Sequence, residues 1–276
     1  MTCLANLLIH NNRSFKAHWL LLPGILLSLW SPLRAQDADD LAKQLQNPVA
    51  SLISVPFQGN LDFGVGPADG TRFTLNIQPV VPLSISEDWN LIGRVILPVI
   101  SQSDVFGDSG NQTGLGDAVI SGFFSPKEPT SGGLIWGAGP VLLLPIATDD
   151  LLGTKKLGIG PTVVLLKQSG SYTMGLLANH IFSIAGDSDR PDVNATFLQP
   201  FLARNFPGGY ALTLNTELTQ NWDAHASSGF FHIMGSKVIS LGSQLAQVLV
   251  GPRIPYGNGN TAGWGIRFGL VLLFPK

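Results

Sequence analysis

The chain has 276 residues, a formal net charge of -2 and only 12% charged residues, about half the ~25% usual in soluble domains. So little charge argues against an ordinary soluble surface, and the near-zero balance argues against a nucleic-acid partner. With 32 Gly, 19 Pro and one Cys, the composition implies many turns, few long helices, no disulfide and no thiol nucleophile.

Residues 1–35 read as a secretory signal peptide. His10, Arg13 and Lys16 give a mildly basic start, an apolar run follows over 19–30, and Ala35 offers a small residue for cleavage, with Ala38 as a second choice. An anchor helix is the competing reading. The apolar run is only about a dozen residues long, where a spanning helix needs ~20. Cys3 lies inside this segment, so the mature chain is expected to be cysteine-free, as suits the bacterial envelope. Residues 36–48 are expected to form a periplasmic lead-in that can make a short helix, with Asp39, Asp40, Leu41, Ala42, Lys43, Gln44 and Leu45 as its helix-forming part.

From 49 to 276 the chain breaks into alternating segments of roughly ten residues, each ended by Gly, Pro or Asp. In the first, over 51–63, Ile53, Val55, Phe57, Leu61 and Phe63 share one face, and Ser54, Gln58, Asn60 and Asp62 share the other. Over 71–83, Phe73, Leu75, Ile77, Val81 and Leu83 oppose Arg72, Thr74, Asn76 and Gln78. Over 89–99, Trp89, Leu91, Val95, Leu97 and Val99 oppose Asn90 and Arg94. The polar stretch 102–113 is expected as one external loop. Further strands are predicted at about 115–125, 134–146, 157–168, 171–184, 193–205, 209–222, 230–240 and 245–254. The last runs from Trp264 to Phe274, with Trp264, Ile266, Phe268, Leu270, Leu272 and Phe274 on one side and Gly265, Arg267 and Gly269 on the other. Side chains on a strand alternate between faces, so each segment is oily on one side and polar or small on the other. A bilayer-spanning barrel requires that pattern. The prediction is therefore all-β: a transmembrane antiparallel up-and-down β-barrel of about 12 strands, filling 49–276 as one domain.

Two residue classes carry the functional reading. Arg72, Arg94, Glu217, Arg253 and Arg267 all fall within predicted strands, opposite apolar residues. A charge facing hydrocarbon at mid-depth costs roughly 2–4 kcal/mol, so these five are expected to face the lumen. There they would either lock the interior as ion pairs or line a path for solutes. Trp89, Trp136, Tyr210, Trp222, Trp264 and Phe274 sit near predicted strand ends and are expected at the headgroup layers.

No other chemistry stands out. The Gly-x-Gly-Pro runs at Gly64, Gly137 and Gly158 lead into proline and strand, where a phosphate loop would lead into a helix. The histidines show no helical metal spacing, and the acids at Asp149, Asp150, Asp187, Asp189 and Asp192 lack a full calcium-loop pattern. No nucleophile elbow is present. Catalytic residues, metal sites and cofactors are accordingly not expected.

Several stretches resemble the outer-membrane family named for the MetA pathway of phenol degradation, whose members are labelled "transporter" and sometimes, in bacteria, neuromedin U. They are Asn47–Gln58, Leu75–Pro79, Glu87–Ile92, Gly114–Asp117, Phe124–Lys127, Phe197–Phe201 and Leu272–Lys276, in order along the chain. The resemblance implies an outer-membrane barrel passing hydrophobic or aromatic compounds, and it supplies no catalytic residues.

The expectation is thus a barrel of the bacterial outer membrane mediating passive transport of small solutes, through a lumen biased by Arg72, Arg94, Glu217 and Arg267. A plugged structural barrel or loop-mediated binding protein is one alternative, and an outer-membrane lipid hydrolase is another. Expected partners are outer-membrane lipid and lipopolysaccharide, a small-molecule solute and the outer-membrane assembly machinery.

Overall fold

The structure, a computed structural model, describes residues 35–107 and 109–275. Nearly all of the expected signal segment, 1–34, lies outside the described residues. A single helix, α1 (Ala35–Leu45), is followed by strands β1 (Ile53–Val65), β2 (Gly70–Ile77), β3 (Val80–Ser84), β4 (Trp89–Ser103), β5 (Asn111–Leu115), β6 (Ala118–Pro126) and β7 (Leu134–Leu144). Then come β8 (Lys156–Ser169), β9 (Tyr172–Gly186), β10 (Asn194–Phe206), β11 (Tyr210–Asn221), β12 (Ala226–Leu241), β13 (Gln244–Tyr256) and β14 (Trp264–Phe274).

All pairings are antiparallel, and β1 closes on β14 from Ile53↔Phe274 to Phe63↔Trp264. Closure joins the first and last strands, so the sheet has no open end, as lipid demands of a spanning sheet, and β5, held by β4 alone, lies off the closed path. β2 and β3 form one broken stave, since both pair with β1 and β4, and β5 and β6 form another along β4, so the wall is a closed barrel of 12 staves. The predicted fold class and strand number are those observed.

Both breaks have local causes. Pro79 has no N–H to give the ladder, and its carbonyl still accepts from Val95 at 3.1 Å, so β2 stops and β3 resumes with pairing to β4 kept. At the second break Asp117 leaves the ladder. Its carboxylate accepts from the Ala147 and Thr154 amides and the Thr154 hydroxyl, pinning the loop 145–155. The stretch 102–113, expected as one loop, is strand at both ends, with the loop itself confined to 104–110. β4 runs to Ser103 and β5 begins at Asn111, and the Gln102 amide donates to Gln112 Oε1 at 3.0 Å on the inner face. Polar side chains that satisfy one another inside a barrel look like a loop to any reading based on polarity.

The two ends differ. One, the tight-turn end, carries the connections 85–88, 127–133, 170–171, 207–209 and 242–243, all but 127–133 of four residues or fewer, and the other carries 66–69, 104–110, 145–155, 187–193, 222–225 and 257–263, four of them of seven residues or more. α1 sits inside the tight-turn mouth. Ala38, Leu41 and Ala42 are buried with Leu52 against Val238, Val271 and Leu273 of the wall. Val49 reaches the opposite wall, packing with Ile92, Phe123, Val164, Leu166 and Leu177. Gly209 receives the helix. Its φ is +75°, a Cβ there would stand 3.1 Å from that of Ala38, and its amide donates to Asp39 Oδ1 at 2.7 Å. Gln168 Nε2 donates to the Lys43 carbonyl at 2.9 Å, fixing the far end of α1. The segment before β1 therefore crosses and fills this mouth.

The outer surface is mainly apolar, with polar groups such as His180, Thr196 and Arg204 among the aromatics. Leu165, Leu212, Ile233, Val250, Ile254 and Phe268 are exposed along it.

Candidate functional site: the lumen and its arginine waist

Strand alternation turns the polar face of each stave inward, and this builds the site. Two chambers lie in the lumen. The larger, about 610 Å3, opens toward the long loops and is lined by Asn60, Asp62, Arg72, Thr74, Asn179 and Thr219 among others. The smaller, about 260 Å3, lies between it and the plugging segment, with Gln44–Pro48, Ala50 and Leu52 on its floor. Gln58, Gln78, Arg94, Leu177, Gln199 and Arg267 border both chambers and form the waist between them.

All five charged residues singled out from the sequence line this interior. Arg267, Glu217 and Arg253 form one network. Arg267 Nη1 and Nη2 donate to the two oxygens of Glu217 at 2.6 and 2.8 Å, and its Nε donates to Asn60 Oδ1 at 2.7 Å. This is the paired-fork geometry that makes guanidinium–carboxylate contacts strong. Arg253 Nε donates to Asp62 Oδ1 at 2.7 Å, its Nη1 lies 3.6 Å from Glu217 Oε2, and its guanidinium covers the Phe230 ring at 3.3 Å. Asp62 in turn needs the glycine opposite it. A Cβ at Gly265 would stand 2.3 Å from Asp62 Oδ1.

Arg72 and Arg94 stand apart. Arg72 Nε donates to Gln102 Oε1 at 2.8 Å, and Arg94 Nη2 donates to Gln78 Oε1 at 2.7 Å. Among the described residues no carboxylate lies within ion-pair distance of either. Four guanidiniums thus share two carboxylates, Asp62 and Glu217, and the waist is positive.

His232 was not singled out from the sequence, yet it is fully buried at the heart of the network. Asn215 Oδ1, 2.7 Å from its Nδ1, can only accept, so Nδ1 carries the proton and Nε2 accepts from Arg253 at 3.2 Å. Its neighbours Phe231 and Ile233 are both exposed on the outer face. That alternation is the sequence signal that would have placed it inside. His180 faces outward instead, with Nδ1 2.9 Å from Thr196 Oγ1, which also accepts from Trp222 Nε1 at 2.8 Å. Neither strand histidine contacts a serine.

The six aromatics lie on the outer wall in two groups. Trp89, Trp136, Tyr210 and Phe274 are near the tight-turn end, and Trp222 and Trp264 near the loop end. Trp89 meets Trp136 edge-on at 5.7 Å, and Trp264 stacks on Phe63 at 4.6 Å.

At the loop end three of the acids are met by lysines. Lys155 bonds Asp150 at 2.8 Å and approaches Asp187 at 3.8 Å, while Lys156 bonds Asp192 at 2.9 Å. The Lys155 ammonium, by hydrogen bond, holds the Asp150 carboxyl below the usual carboxylate range, and Lys156, joined by the Ser183 hydroxyl, does the same for Asp192. Among the described residues no three potential ligands gather to hold a metal ion.

No protein-family model matches the chain, and no curated protein matches it in sequence. Solved structures do. An outer membrane channel from Pseudomonas putida F1 superposes with a TM-score of 0.63 at 14% identity, over 81% of this chain and 96% of that one. The fold is that of an outer-membrane β-barrel. The β-domain of the Bordetella autotransporter BrkA is more distant, at TM-score 0.44 and 12% identity over 81% of this chain and all of that one. A loop-deleted OmpT of Vibrio cholerae scores 0.40 at 10% identity, over 80% and 98%.

Proposed function

We propose that this barrel spans the bacterial outer membrane and passes small solutes passively through its lumen, as a relative of the family named for the MetA pathway of phenol degradation. One observation carries the reading: two interior chambers, of about 610 and 260 Å3, meet at a waist lined by polar and charged side chains. A barrel serving only as a scaffold has no need of such a lumen, because apolar packing there would be as stable or more so. The likeness to the Pseudomonas channel supports the same reading. Outer-membrane barrels put short turns on the periplasmic side, so the mouth filled by α1 is the inner one.

A second reading, a closed structural barrel, is favoured by α1 itself, which occupies that mouth. A lipid hydrolase would need a hydroxyl nucleophile with a base. Among the described residues the one hydroxyl–imidazole hydrogen bond is Thr196 with His180, and its Thr oxygen already accepts from Trp222.

Planar-bilayer recording separates the first two readings. The full chain should give small, gated currents, and a variant lacking residues 36–47 larger and steadier ones. Silence from both would remove the channel reading in favour of the scaffold.

A further inference from the structure

We propose that the inner chamber is a subsite for amphipathic carboxylates, with Arg94 taking the carboxylate head and the chamber taking an apolar body of about one aromatic ring. The proposal rests on the channel reading and names its solute class.

Arg94 is placed differently from the other arginines. It borders both chambers, as Arg267 does, whereas Arg72 and Arg253 line only the outer one, and unlike Arg267 it is bonded to no carboxylate. Of its five N–H donors, one hydrogen bond to Gln78 is made. The nearby carboxylate of Glu217 is bonded to Arg267, Arg253 and Gln199, and among the described residues no carboxylate lies within ion-pair distance of Arg94. A guanidinium that faces the lumen with most of its fork unused gains from an anion that presents two coplanar oxygens.

The chamber below it supplies the second half of the recognition. Leu45, Leu52, Leu177, Phe201, Met234 and Val271, from six different segments, put apolar atoms around it. Apolar cavities of about 150 Å3 take up benzene, so about 260 Å3 accommodates a ring with a short substituent. Charge at the waist and apolar surface beneath it select a molecule with both ends. A neutral hydrocarbon leaves Arg94 unserved, and an inorganic anion leaves the chamber empty.

The test is calorimetric titration of the purified full chain in non-ionic detergent at pH 7, corrected against protein-free micelles, with benzoate, benzyl alcohol and phenylphosphonate. Benzoate should bind saturably, and at least about tenfold more tightly than benzyl alcohol. Arg94→Gln should weaken benzoate by at least about tenfold, and Arg72→Gln should not. Heat-dependent gel migration reports whether each variant has folded. Met234→Trp, which fills the chamber and leaves the charge, should abolish benzoate binding and serves as the deciding variant should Arg94→Gln not fold. Equal binding of benzoate and benzyl alcohol, or benzoate binding indifferent to Arg94→Gln and Met234→Trp, would overturn the proposal. Equal binding of phenylphosphonate would overturn the carboxylate assignment. Conductance without benzoate binding removes the subsite and leaves the channel, while binding without conductance supports the subsite and removes the channel.

Discussion

Glu217 has more to do than any other side chain in the lumen. It takes both Nη groups of Arg267, lies 3.6 Å from Arg253 and accepts from Gln199 at 3.3 Å. Replacing it by Gln leaves two guanidiniums sharing the single carboxylate of Asp62. Removing one partner of a buried ion pair costs about 3–5 kcal/mol. Glu217→Gln should therefore lower the unfolding free energy of the barrel, read from denaturant titration, by a comparable amount. Arg72→Gln, which breaks one hydrogen bond and no ion pair, should cost about 1 kcal/mol or less. Equal losses from the two would show that the network does not act as a unit. Which residues face inward was legible in the sequence, because alternation assigns a face to each of Arg72, Arg94, Glu217, Arg253 and Arg267. Which of them pair was not. The Arg267–Glu217 contact joins β14 to β11, and Arg253–Asp62 joins β13 to β1. Those partners meet only once the cylinder has closed, and no local pattern encodes that.

At the scale of elements, the plugging segment and the loops are held by few contacts, and each can be released separately. Ala42 is completely buried between α1 and the wall, so Ala42→Trp overfills the mouth by most of an indole. Overpacking of this kind costs about 1–3 kcal/mol. The expected result is displacement of α1 and a rise in single-channel conductance with the barrel intact. Unchanged conductance would mean that α1 does not limit the current. At the opposite end Asp117 accepts three hydrogen bonds that anchor the loop 145–155. Asp117→Ala should speed amide exchange across that loop and leave the strands protected. The same loop is joined to 187–193 by Arg190, which donates to the Asp150 and Gly153 carbonyls, and by Lys155 and Lys156. Because Asp150 and Asp192 have carboxyls held below the usual range, the stabilisation they give is fully present above the ordinary value near ~4 and is lost as pH falls through the lowered values. The amide exchange rate over 187–193, divided by the intrinsic rate at each pH, should stay flat from neutral pH down to that ordinary value and rise only below it. A rise near pH 6 would contradict the lysine contacts. Polarity alone misjudged the ends of the stretch 102–113, because the inward Gln102–Gln112 pair depends on what lies across the ladder.

The whole molecule turns a soluble protein inside out: charges are gathered in the lumen and apolar side chains face outward. That inversion was the most legible property of the sequence, since a period of two sustained over many segments sorts both faces at once. It also gives a test that concerns no particular solute. Val250 lies at the middle of β13, is 59% exposed and pairs across the ladder with Phe268 and Gly235. Thr219 lies on β11 and lines the outer chamber. Arginine at 250 would meet hydrocarbon at mid-depth, with a cost of about 2–4 kcal/mol. Arginine at 219 would enter a polar, water-accessible chamber, where a flexible cation can reach solvent at little cost. Equilibrium unfolding from lipid vesicles should therefore separate Val250→Arg from Thr219→Arg by at least about 2 kcal/mol, with the outer substitution the weaker protein. In non-ionic micelles the gap should narrow, because a micelle deforms around a charge more readily than a bilayer does. The reverse order in vesicles would mean that the apolar wall does not face lipid.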